Sequence, residues 1–403
     1  MKLKALIVFA LSLIVFSCNT KETTVFTEDD IQVIPKPETL KLNEGNFEFN
    51  ENTMFYVTDE AQSVASQILI DKFKNAQGWD LKTVETQPES NFIQFKTSEN
   101  IEAEGYKLVV ENDVITIESN DFNGLLYGIQ TLRQLLPTAI ESQTKIADTQ
   151  WVIPNLEIAD KPRFEWRGLM LDVSRHFFQK EYIKKTIDRL AYHKMNTFHF
   201  HLIDDQGWRI ESHTYPKLHQ LASDGLYYSQ KEIKELVTYA SNLGIRVVPE
   251  LDLPGHASAI AVAYPELMAE KKHYKMERHW GVFEPLLDPS NPDVYDFIDK
   301  IVAEFTSLFP DEYLHIGGDE VHPLQWQKSE AVQQYMAEKA LKDSHELQVH
   351  FNEKVQTILT KHQRKMMGWD EIYHPKLPKN IMVQSWRGME SLSQIAANQY
   401  QGL

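Results

Sequence analysis

The segment Tyr313-Leu-His-Ile-Gly-Gly-Asp-Glu320 has the pattern of a short buried strand that ends in two carboxylates. Adjacent side chains on a strand point to opposite faces, so Asp319 and Glu320 can share one pocket only where the strand breaks up. Gly317 and Gly318 supply that break. Two carboxylates in one desolvated cleft repel each other, which raises one pKa and leaves the other group ionised. The segment therefore predicts an acid beside an anionic stabiliser, with a solvated Asp-Glu loop as the alternative.

Six apolar strands alternate with amphipathic helices from Arg163 onward, an alternation typical of parallel β/α units. The strands are predicted at 168–172, 197–203, 245–251, 313–316, 365–369 and 381–386. Three helical stripes of apolar residues lie between strands, and they begin at Ile183, Ile233 and Val294. Ser229 and Glu232 predict a capping box at the start of the second stripe.

Two architectures accommodate such units, a doubly wound open sheet and a (β/α)8 barrel. The sequence contains no glycine-rich dinucleotide fingerprint after a strand and no P-loop. Their absence argues against a doubly wound sheet that binds nucleotides. Polar residues instead gather where almost every strand ends, as the active mouth of a barrel requires. The sequence therefore predicts an α/β fold with a TIM-barrel catalytic domain. Six units occupy about 240 residues after Arg163, so we expect the barrel to be C-terminally incomplete by about two units.

A smaller α+β domain is predicted before the barrel. Residues 31–157 mix short alternating strands, such as 92–95 and 106–110, with helical apolar spacing at 64–73 and 124–136. The barrel domain is then expected to span 158–403.

The N-terminus has the features of an export signal. A basic start at 1–4 precedes an apolar run at 5–16, which is too short to span a bilayer. Cys18 is the only cysteine and directly follows the small residue Ser17, as in a bacterial lipobox; an unmodified thiol is the alternative. The sequence predicts a signal peptide at 1–17, a lipidated tether at 18–30, and a periplasmic or cell-surface location. A single cysteine excludes an internal disulfide.

The charge balance argues against nucleic acid as a partner. Acidic residues outnumber basic ones 58 to 41, and Lys and Arg form no long run after the first few positions. The sequence therefore carries no basic footprint, and the negative surplus favours neutral or cationic ligands.

Candidate site residues follow each predicted strand. One polar residue at a strand end is usually a cap or half of an ion pair, but convergence from six consecutive units is hard to explain by packing. In chain order, the candidates are Asp172, Arg175, His201, Asp204, Asp205, Glu250, Asp252, His256, Asp319, Glu320, Trp369, Asp370, Glu371, Trp386 and Arg387.

Four ordered motifs contain most of these candidates. They are Arg167-Gly-Leu-Met-Leu-Asp-Val-Ser-Arg-His176, His199-Phe-His-Leu-Ile-Asp-Asp-Gln206, Pro249-Glu-Leu-Asp-Leu-Pro-Gly-His256 and His315-Ile-Gly-Gly-Asp-Glu320. The motifs resemble those of family 20 glycoside hydrolases, the β-N-acetylhexosaminidases. The resemblance runs from about Gln32 to the last residue and includes the smaller α+β domain. It implies exo-acting removal of terminal GlcNAc or GalNAc from oligosaccharides or glycoconjugates, without a cofactor.

The resemblance also implies a reaction without an enzyme nucleophile, since this family is among the exceptions to the two-carboxylate scheme. Glu320 would be the general acid and then the general base, and Asp319 would hold and polarise the substrate's 2-acetamido group. The acetamido oxygen would attack the anomeric carbon and form an oxazolinium ion. Water activated by Glu320 would open that ion with net retention of configuration.

The remaining site residues carry supporting roles in the same resemblance. Arg175 would bind the outer hydroxyls of the sugar, since its planar fork suits two oxygens at once. Asp204 and His256 would form a polar pair that supports the acid. Trp369 and Trp386 would wall the acetamido group, with core packing as the alternative for both.

A metal site is one alternative. His199 and His201 alternate like the metal-binding pair of barrel amidohydrolases, with His256, His315 and Asp319 as further ligands. That class expects the His pair on the first strand and the ligand Asp on the last. Here they fall on the second and fourth predicted strands, so the preferred prediction contains no metal.

A second alternative is a lipid-anchored glycan-binding protein with an incomplete, inactive site. In the family the last two strands bring a Tyr, an Asp, a Trp and a Glu that grip the sugar, and none of these is assigned here. An open arc of strands would also leave sheet edges unpaired.

Overall fold

The structure is a computed structural model that describes residues 24–403. The predicted signal peptide, Cys18 and the first part of the tether lie outside the described residues. The described part of the tether contains a 3-10 helix at Glu28–Asp30, which Thr27 and Asp30 cap reciprocally.

The N-terminal domain is a seven-stranded mixed sheet with two helices. Its elements are β1 (Thr39–Glu48), β2 (Met54–Tyr56), α1 (Glu60–Gln77), β3 (Lys82–Val84), β4 (Phe92–Thr97), β5 (Tyr106–Val110), β6 (Val114–Ser119), α2 (Phe122–Leu135), a 3-10 helix at Thr138–Glu141 and β7 (Val152–Asp160). The strand order is β1-β7-β5-β6-β4-β2-β3. Asp59 and Asp121 begin α1 and α2, where their carboxylates accept hydrogen bonds from backbone N–H groups. The α+β prediction is confirmed.

The second domain alternates strands with helices. Its elements are β8 (Gly168–Asp172), α3 (Lys180–Tyr192), β9 (Thr197–His201), β10 (Ile203–Asp204), β11 (Gly207–Trp208), α4 (Lys217–Leu221), α5 (Gln230–Asn242), β12 (Arg246–Glu250), α6 (Ser258–Ala263), a 3-10 helix at Pro265–Leu267, α7 (Pro292–Leu308), β13 (Tyr313–His315), α8 (Leu324–Lys328), α9 (Glu330–Glu338), α10 (Ser344–Lys361), β14 (Lys365–Trp369), a 3-10 helix at Asp370–Ile372, β15 (Met382–Gln384), α11 (Met389–Ala397) and β16 (Gln401–Gly402). The predicted helical stripes lie on α3, α5 and α7, and most of their members are buried. The capping box of Ser229 and Glu232 is present at the start of α5.

The strands of this domain form one parallel sheet in the order β16-β15-β14-β13-β12-β9-β8, apart from the small β10–β11 hairpin. The sheet has seven strands where the sequence predicts six, because β16 covers two residues and is too short to show a period. The prediction of a strand over 197–203 is also too long. The chain leaves the sheet at His201 and turns into the hairpin. The parallel arc confirms the prediction of an α/β fold with a partial (β/α) barrel.

Strand register places four polar residues on one level at the carboxyl end of this sheet. Asp172 pairs with His201, His201 pairs with Glu250, and Glu250 pairs with His315 across β8, β9, β12 and β13. Because paired residues in neighbouring strands lie side by side, the register brings candidates that are far apart in the sequence into one row. We call Asp172, His201, Glu250 and His315 the polar row.

The two domains are joined by partly buried polar contacts. Arg167, just before β8, donates hydrogen bonds to Glu104 at 2.9 Å and to the hydroxyl of Tyr127 at 2.6 Å. Lys194 lies 3.3 Å from Asp160. Burial tends to raise the pKa of Glu104, but hydrogen bonds from Arg167 and neighbouring amides outweigh it and lower that pKa. The junction therefore holds a charged pair that one domain cannot complete alone.

Within residues 24–403, no helix is both long enough and apolar enough to cross a bilayer.

Candidate active site

The strand break predicted after β13 is present. Gly317 and Gly318 both have left-handed backbone angles, with φ of +64° and +86°. A Cβ at position 317 would lie 1.9 Å from Oδ1 of the buried Asp252, and the N–H of Gly318 donates to the same oxygen at 3.2 Å. The chain therefore passes tightly over Asp252, and this passage sets the positions of the two carboxylates that follow.

Replacing Gly317 by Ala is expected to destabilise the barrel domain strongly. A left-handed Ala costs roughly 1–2 kcal/mol, and the clash with Asp252 adds to that because a fully buried carboxyl has no room to move. We expect a loss of at least about 3 kcal/mol in the free energy of unfolding, measured by denaturant titration.

Gly225 offers the matched control for that substitution. Its φ is +75°, and a Cβ there would meet no heavy atom within 4 Å. Gly225→Ala should therefore show the backbone penalty alone, and equal losses for the two variants would contradict the close passage over Asp252.

His256 lies between two pairs of carboxylates. Its Nδ1 is 2.9 Å from Asp205 and 3.2 Å from Asp204, and its Nε2 is 3.6 Å from Asp319 and 3.5 Å from Glu320. Burial tends to lower the pKa of His256, but the nearby carboxylates outweigh it and raise that pKa. The imidazolium therefore stabilises negative charge on the two residues that the sequence selects as catalytic. The backbone φ values of +46° at His256 and +48° at Glu320 are strained conformations of the kind that cluster at functional sites.

Arg175 reaches the same cluster through Asp204. One terminal nitrogen of the guanidinium lies 2.5 Å from Asp204, and the other lies 3.1 Å from Asp172. Its side chain is 20% exposed, and its Nε has no hydrogen-bond partner. Arg175 therefore keeps part of its side chain accessible to a ligand, while Asp204 connects it to His256.

Glu250 is the centre of a buried network whose role the sequence does not reveal. Four side chains approach its two oxygens, and the distances are 2.6 Å from His199 Nε2, 2.5 Å from His201 Nδ1, 3.1 Å from His315 Nδ1 and 3.0 Å from Trp369 Nε1. Burial tends to raise the pKa of Glu250, but the surrounding imidazoles outweigh it and lower that pKa. The period-two spacing of His199 and His201 was the available signal, since it places both on one face of β9.

The pKa of the Asp319 carboxyl is raised. Burial is the main cause, His256 opposes it, and the result is a pKa of about 6 for Asp319. Burial and the charge of Asp319 also raise the pKa of the neighbouring Asp252. Asp319 is the residue predicted to be the anionic stabiliser, so the site holds that anion at an energetic cost before any substrate enters.

The two tryptophans selected from the sequence have different partners. Trp369 is partly buried, and its ring packs near His199 and His315. Trp386 is half exposed and donates its indole N–H to Glu371 at 3.0 Å. Trp369 therefore contacts the polar row, whereas Trp386 contacts Glu371, just after β14.

The metal alternative can be tested on the donor atoms themselves. His199, His201 and Glu250, and likewise Asp252, His256 and Asp319, offer ligand atoms within 4.8 Å of one another. Glu250 and Asp204 outweigh the effect of burial and raise the pKa of His201, just as the pKa of His256 is raised. A metal ligand must lose its proton, so the raised pKa values of His201 and His256 disfavour these two imidazoles as metal ligands. Burial instead lowers the pKa of His315 to about 4.

The family model for the catalytic domain of glycosyl hydrolase family 20 matches residues 164–402, and the model for domain 2 of the same family matches residues 30–161. The chain belongs to glycoside hydrolase family 20. Both domains of this family 20 protein are therefore accounted for, and the resemblance drawn from the four motifs is confirmed.

Several named relatives are similar over most of this family 20 chain. It is 37% identical to a beta-hexosaminidase from Porphyromonas gingivalis, over 94% of this chain and 50% of the relative. The solved chitobiase of Flavobacterium johnsoniae is 37% identical with a TM-score of 0.84, over 94% of this chain and 59% of that one. The exo beta-N-acetylglucosaminidase of Vibrio harveyi, solved with N-acetylglucosamine, is 31% identical with a TM-score of 0.83. The match covers 93% of this chain and 60% of that one. The chain spans about half to three fifths of the length of these relatives.

Proposed function

We propose that the protein is an exo-β-N-acetylhexosaminidase that removes terminal non-reducing GlcNAc or GalNAc from oligosaccharides and glycoconjugates. One observation carries the proposal: Asp319 and Glu320 face the same imidazole nitrogen of His256, at 3.6 and 3.5 Å. An acid, an anion and a cation thus meet at the carboxyl end of a barrel strand, where barrel enzymes hold their active sites. The names of the similar proteins support the same activity.

Glu320 is the proton donor in this proposal. Its side chain is about a third exposed, so a glycosidic oxygen can reach it, whereas Asp319 is more deeply buried. When Glu320 gives its proton to the leaving oxygen, the positive His256 stabilises the carboxylate that forms. That carboxylate then takes a proton from water in the second step, which makes Glu320 the acid and the base in turn.

Asp319 stabilises the positive charge that the substrate develops. No protein nucleophile is needed, because the acetamido oxygen attacks the anomeric carbon and forms an oxazolinium ion. Burial disfavours the anion of Asp319 in the free site, and a cation beside it relieves that penalty. The interaction is therefore stronger in the transition state than in the ground state, which is the condition for catalysis.

Positioning is expected to contribute more than proton transfer. Holding an attacking group in the correct geometry is worth an effective molarity of roughly 10⁵–10⁸ M, against about 10²- to 10⁴-fold for a general acid. In this proposal Arg175 holds the outer hydroxyls through its partly exposed side chain, and Trp369 and Trp386 enclose the acetamido group.

The stereochemistry of the product tests the mechanism. We expect NMR of the hydrolysis of p-nitrophenyl-N-acetyl-β-glucosaminide to show the β-anomer first, because two displacements retain configuration. A product that is first released as the α-anomer, or equal turnover of glycosides that lack an amide at C2, would contradict the proposal.

We further propose that the protein is exported and anchored by a lipid at Cys18. The support is the sequence alone: a basic start, an apolar run, and a cysteine directly after a small residue. In a bacterial host, the full chain should partition into the detergent phase, and Cys18→Ala should move it to the aqueous phase. Equal partitioning of the two proteins would contradict the anchor.

A further inference from the structure

Glu250 is a fully buried carboxylate that the proposed reaction does not use. It ends β12, and one of its oxygens, Oε1, accepts the indole N–H of Trp369 at 3.0 Å. An indole carries one N–H donor and no acceptor, so this is the one strong hydrogen bond that the ring can make. Glu250 therefore determines where the nitrogen edge of Trp369 points.

The strands of the sheet hold Glu250 in place. Its partners in the neighbouring strands are His201 on β9 and His315 on β13. Its second oxygen, Oε2, lies 2.6 Å from Nε2 of His199 and 2.5 Å from Nδ1 of His201. Because the carboxylate is surrounded by these side chains and is closed off from solvent, it has no other place to turn. The acceptor for the indole is therefore fixed by the barrel and not by a loop.

Trp369 is also attached to the strand break that precedes the catalytic pair. It ends β14, and its backbone N–H donates to the carbonyl of Gly317 at 2.9 Å. Its ring packs against His199 and His315, with centroid distances of 5.8 and 5.0 Å. The backbone bond fixes where the side chain begins, and the bond to Glu250 fixes where the nitrogen edge of the ring lies. A flat ring held at both places has little freedom to turn.

Trp386, the second tryptophan predicted to enclose the acetamido group, is held differently. Its indole N–H also donates to a carboxylate, that of Glu371. However, Trp386 is half exposed, and Glu371 lies on the short 3-10 helix after β14. Of the two indoles, Trp369 is thus the one that a buried carboxylate on a strand orients.

We propose that Glu250 is a positioning residue that sets the ring of Trp369 against the acetamido group of the substrate. The inference rests on the proposed function, in which the acetamido oxygen must reach the anomeric carbon in one geometry. If the ring could turn, the acetamido group could rotate away from that geometry. The loss should therefore be larger for the cyclised form of the group than for the open form.

Binding of two ligands to the full chain tests this role. One is the 2-methylthiazoline fused to GlcNAc, a stable mimic of the oxazolinium ion, and the other is GlcNAc itself, whose acetamido group is open. We expect Glu250→Leu to weaken thiazoline binding about tenfold, which corresponds to about 1.4 kcal/mol. Binding of GlcNAc should weaken by less than about threefold, measured by isothermal titration calorimetry.

Two further variants separate the hydrogen bond from the charge. Glu250→Gln keeps a carbonyl oxygen for the indole and offers its amide to neutral imidazoles, so thiazoline binding should stay within about threefold. Trp369→Phe leaves Glu250 in place and should weaken thiazoline binding about tenfold. Adding Glu250→Leu to Trp369→Phe should cost less than about a further threefold, because both changes remove the same contact.

Trp326 offers the matched control for Trp369→Phe. Its indole N–H donates to the carbonyl of Leu287 at 2.9 Å, and it is buried in a separate apolar cluster that includes Val332 and Leu347. Trp326→Phe removes a comparable hydrogen bond and should leave the ratio of the two affinities unchanged.

The other outcomes overturn the inference in distinct ways. Equal weakening of both ligands by Glu250→Leu would show that Glu250 supports the site as a whole. Additive losses in the double variant would show that Glu250 does not act through Trp369. If Glu250→Leu failed to fold, unchanged thiazoline binding in Trp369→Phe, or an equally large loss in Glu250→Gln, would still overturn the inference. If the unsubstituted chain did not bind the thiazoline, the proposed function itself would fail.

Discussion

Replacing Glu320 by Gln is expected to slow the hydrolysis of the GlcNAc disaccharide by about 10²- to 10⁴-fold. Gln cannot donate a proton to a sugar oxygen, which is a poor leaving group. In a 2,4-dinitrophenyl glycoside the dinitrophenolate leaves without protonation. The first step of its hydrolysis should therefore be far less affected. The measurement is kcat and kcat/KM of both substrates with the variant and the unsubstituted chain.

The exposed Glu338, whose carboxylate accepts a hydrogen bond from Gln334, provides a control for that experiment. Glu338→Gln removes the same charge at a distance from the site and should leave both rates unchanged. Normal cleavage of the disaccharide by Glu320→Gln would show that another group is the acid.

Replacing Asp319 by Asn is expected to lower the activity and raise the stability at the same time. Loss of one preorganised electrostatic group typically costs about 10²- to 10³-fold in kcat. The loss should extend to the dinitrophenyl glycoside, because the acetamido oxygen displaces every leaving group in the same step that closes the oxazolinium ring. Unlike Glu320→Gln, this variant should therefore not distinguish leaving groups.

The stability gain follows from the pKa of Asp319. Burial raises the pKa in the folded chain to about 6, above the usual value of 3.8, so the ionised form costs stability as pH rises through that interval. Asn carries no such charge. At pH 7 the variant should be more stable by on the order of 2–3 kcal/mol, and below about pH 3 the difference should vanish. Denaturant titrations at the two pH values measure this, and lower stability of the variant at pH 7 would contradict it.

Much of the barrel could be predicted because the sequence pattern of each β/α unit lies within a short stretch of residues. The apolar strand before Gly317, the capping box of Ser229 and Glu232, and the stripe on α7 need only a few neighbouring residues to be recognised. The extent of β9 could not be predicted, because Leu202 and Ile203 continue its apolar pattern into a hairpin. The two-residue β16 is set by its neighbour β15 and shows no pattern of its own.

The sequence predicts which residues lie in the candidate site, but not which side chains contact one another there. The sequence predicts Asp204, His256, Asp319 and Glu320 as site residues. The structure places the three carboxylates around the imidazole of His256. Glu250 was selected only as a strand end, because its four partners come from β9, β13 and β14, and no local pattern shows the register that joins them. The catalytic roles of these residues stay predictions until they are measured.

The polar row limits how the length of the barrel strands can vary. Because Asp172, His201, Glu250 and His315 meet by strand register, removing one residue from β9 or β12 would turn its polar side chain toward the surrounding helices and send an apolar one into the cleft. The loops beyond the row are under no such constraint. New substrate ranges can therefore arise by lengthening the segments above the sheet, whereas the strands beneath must keep a fixed count of residues.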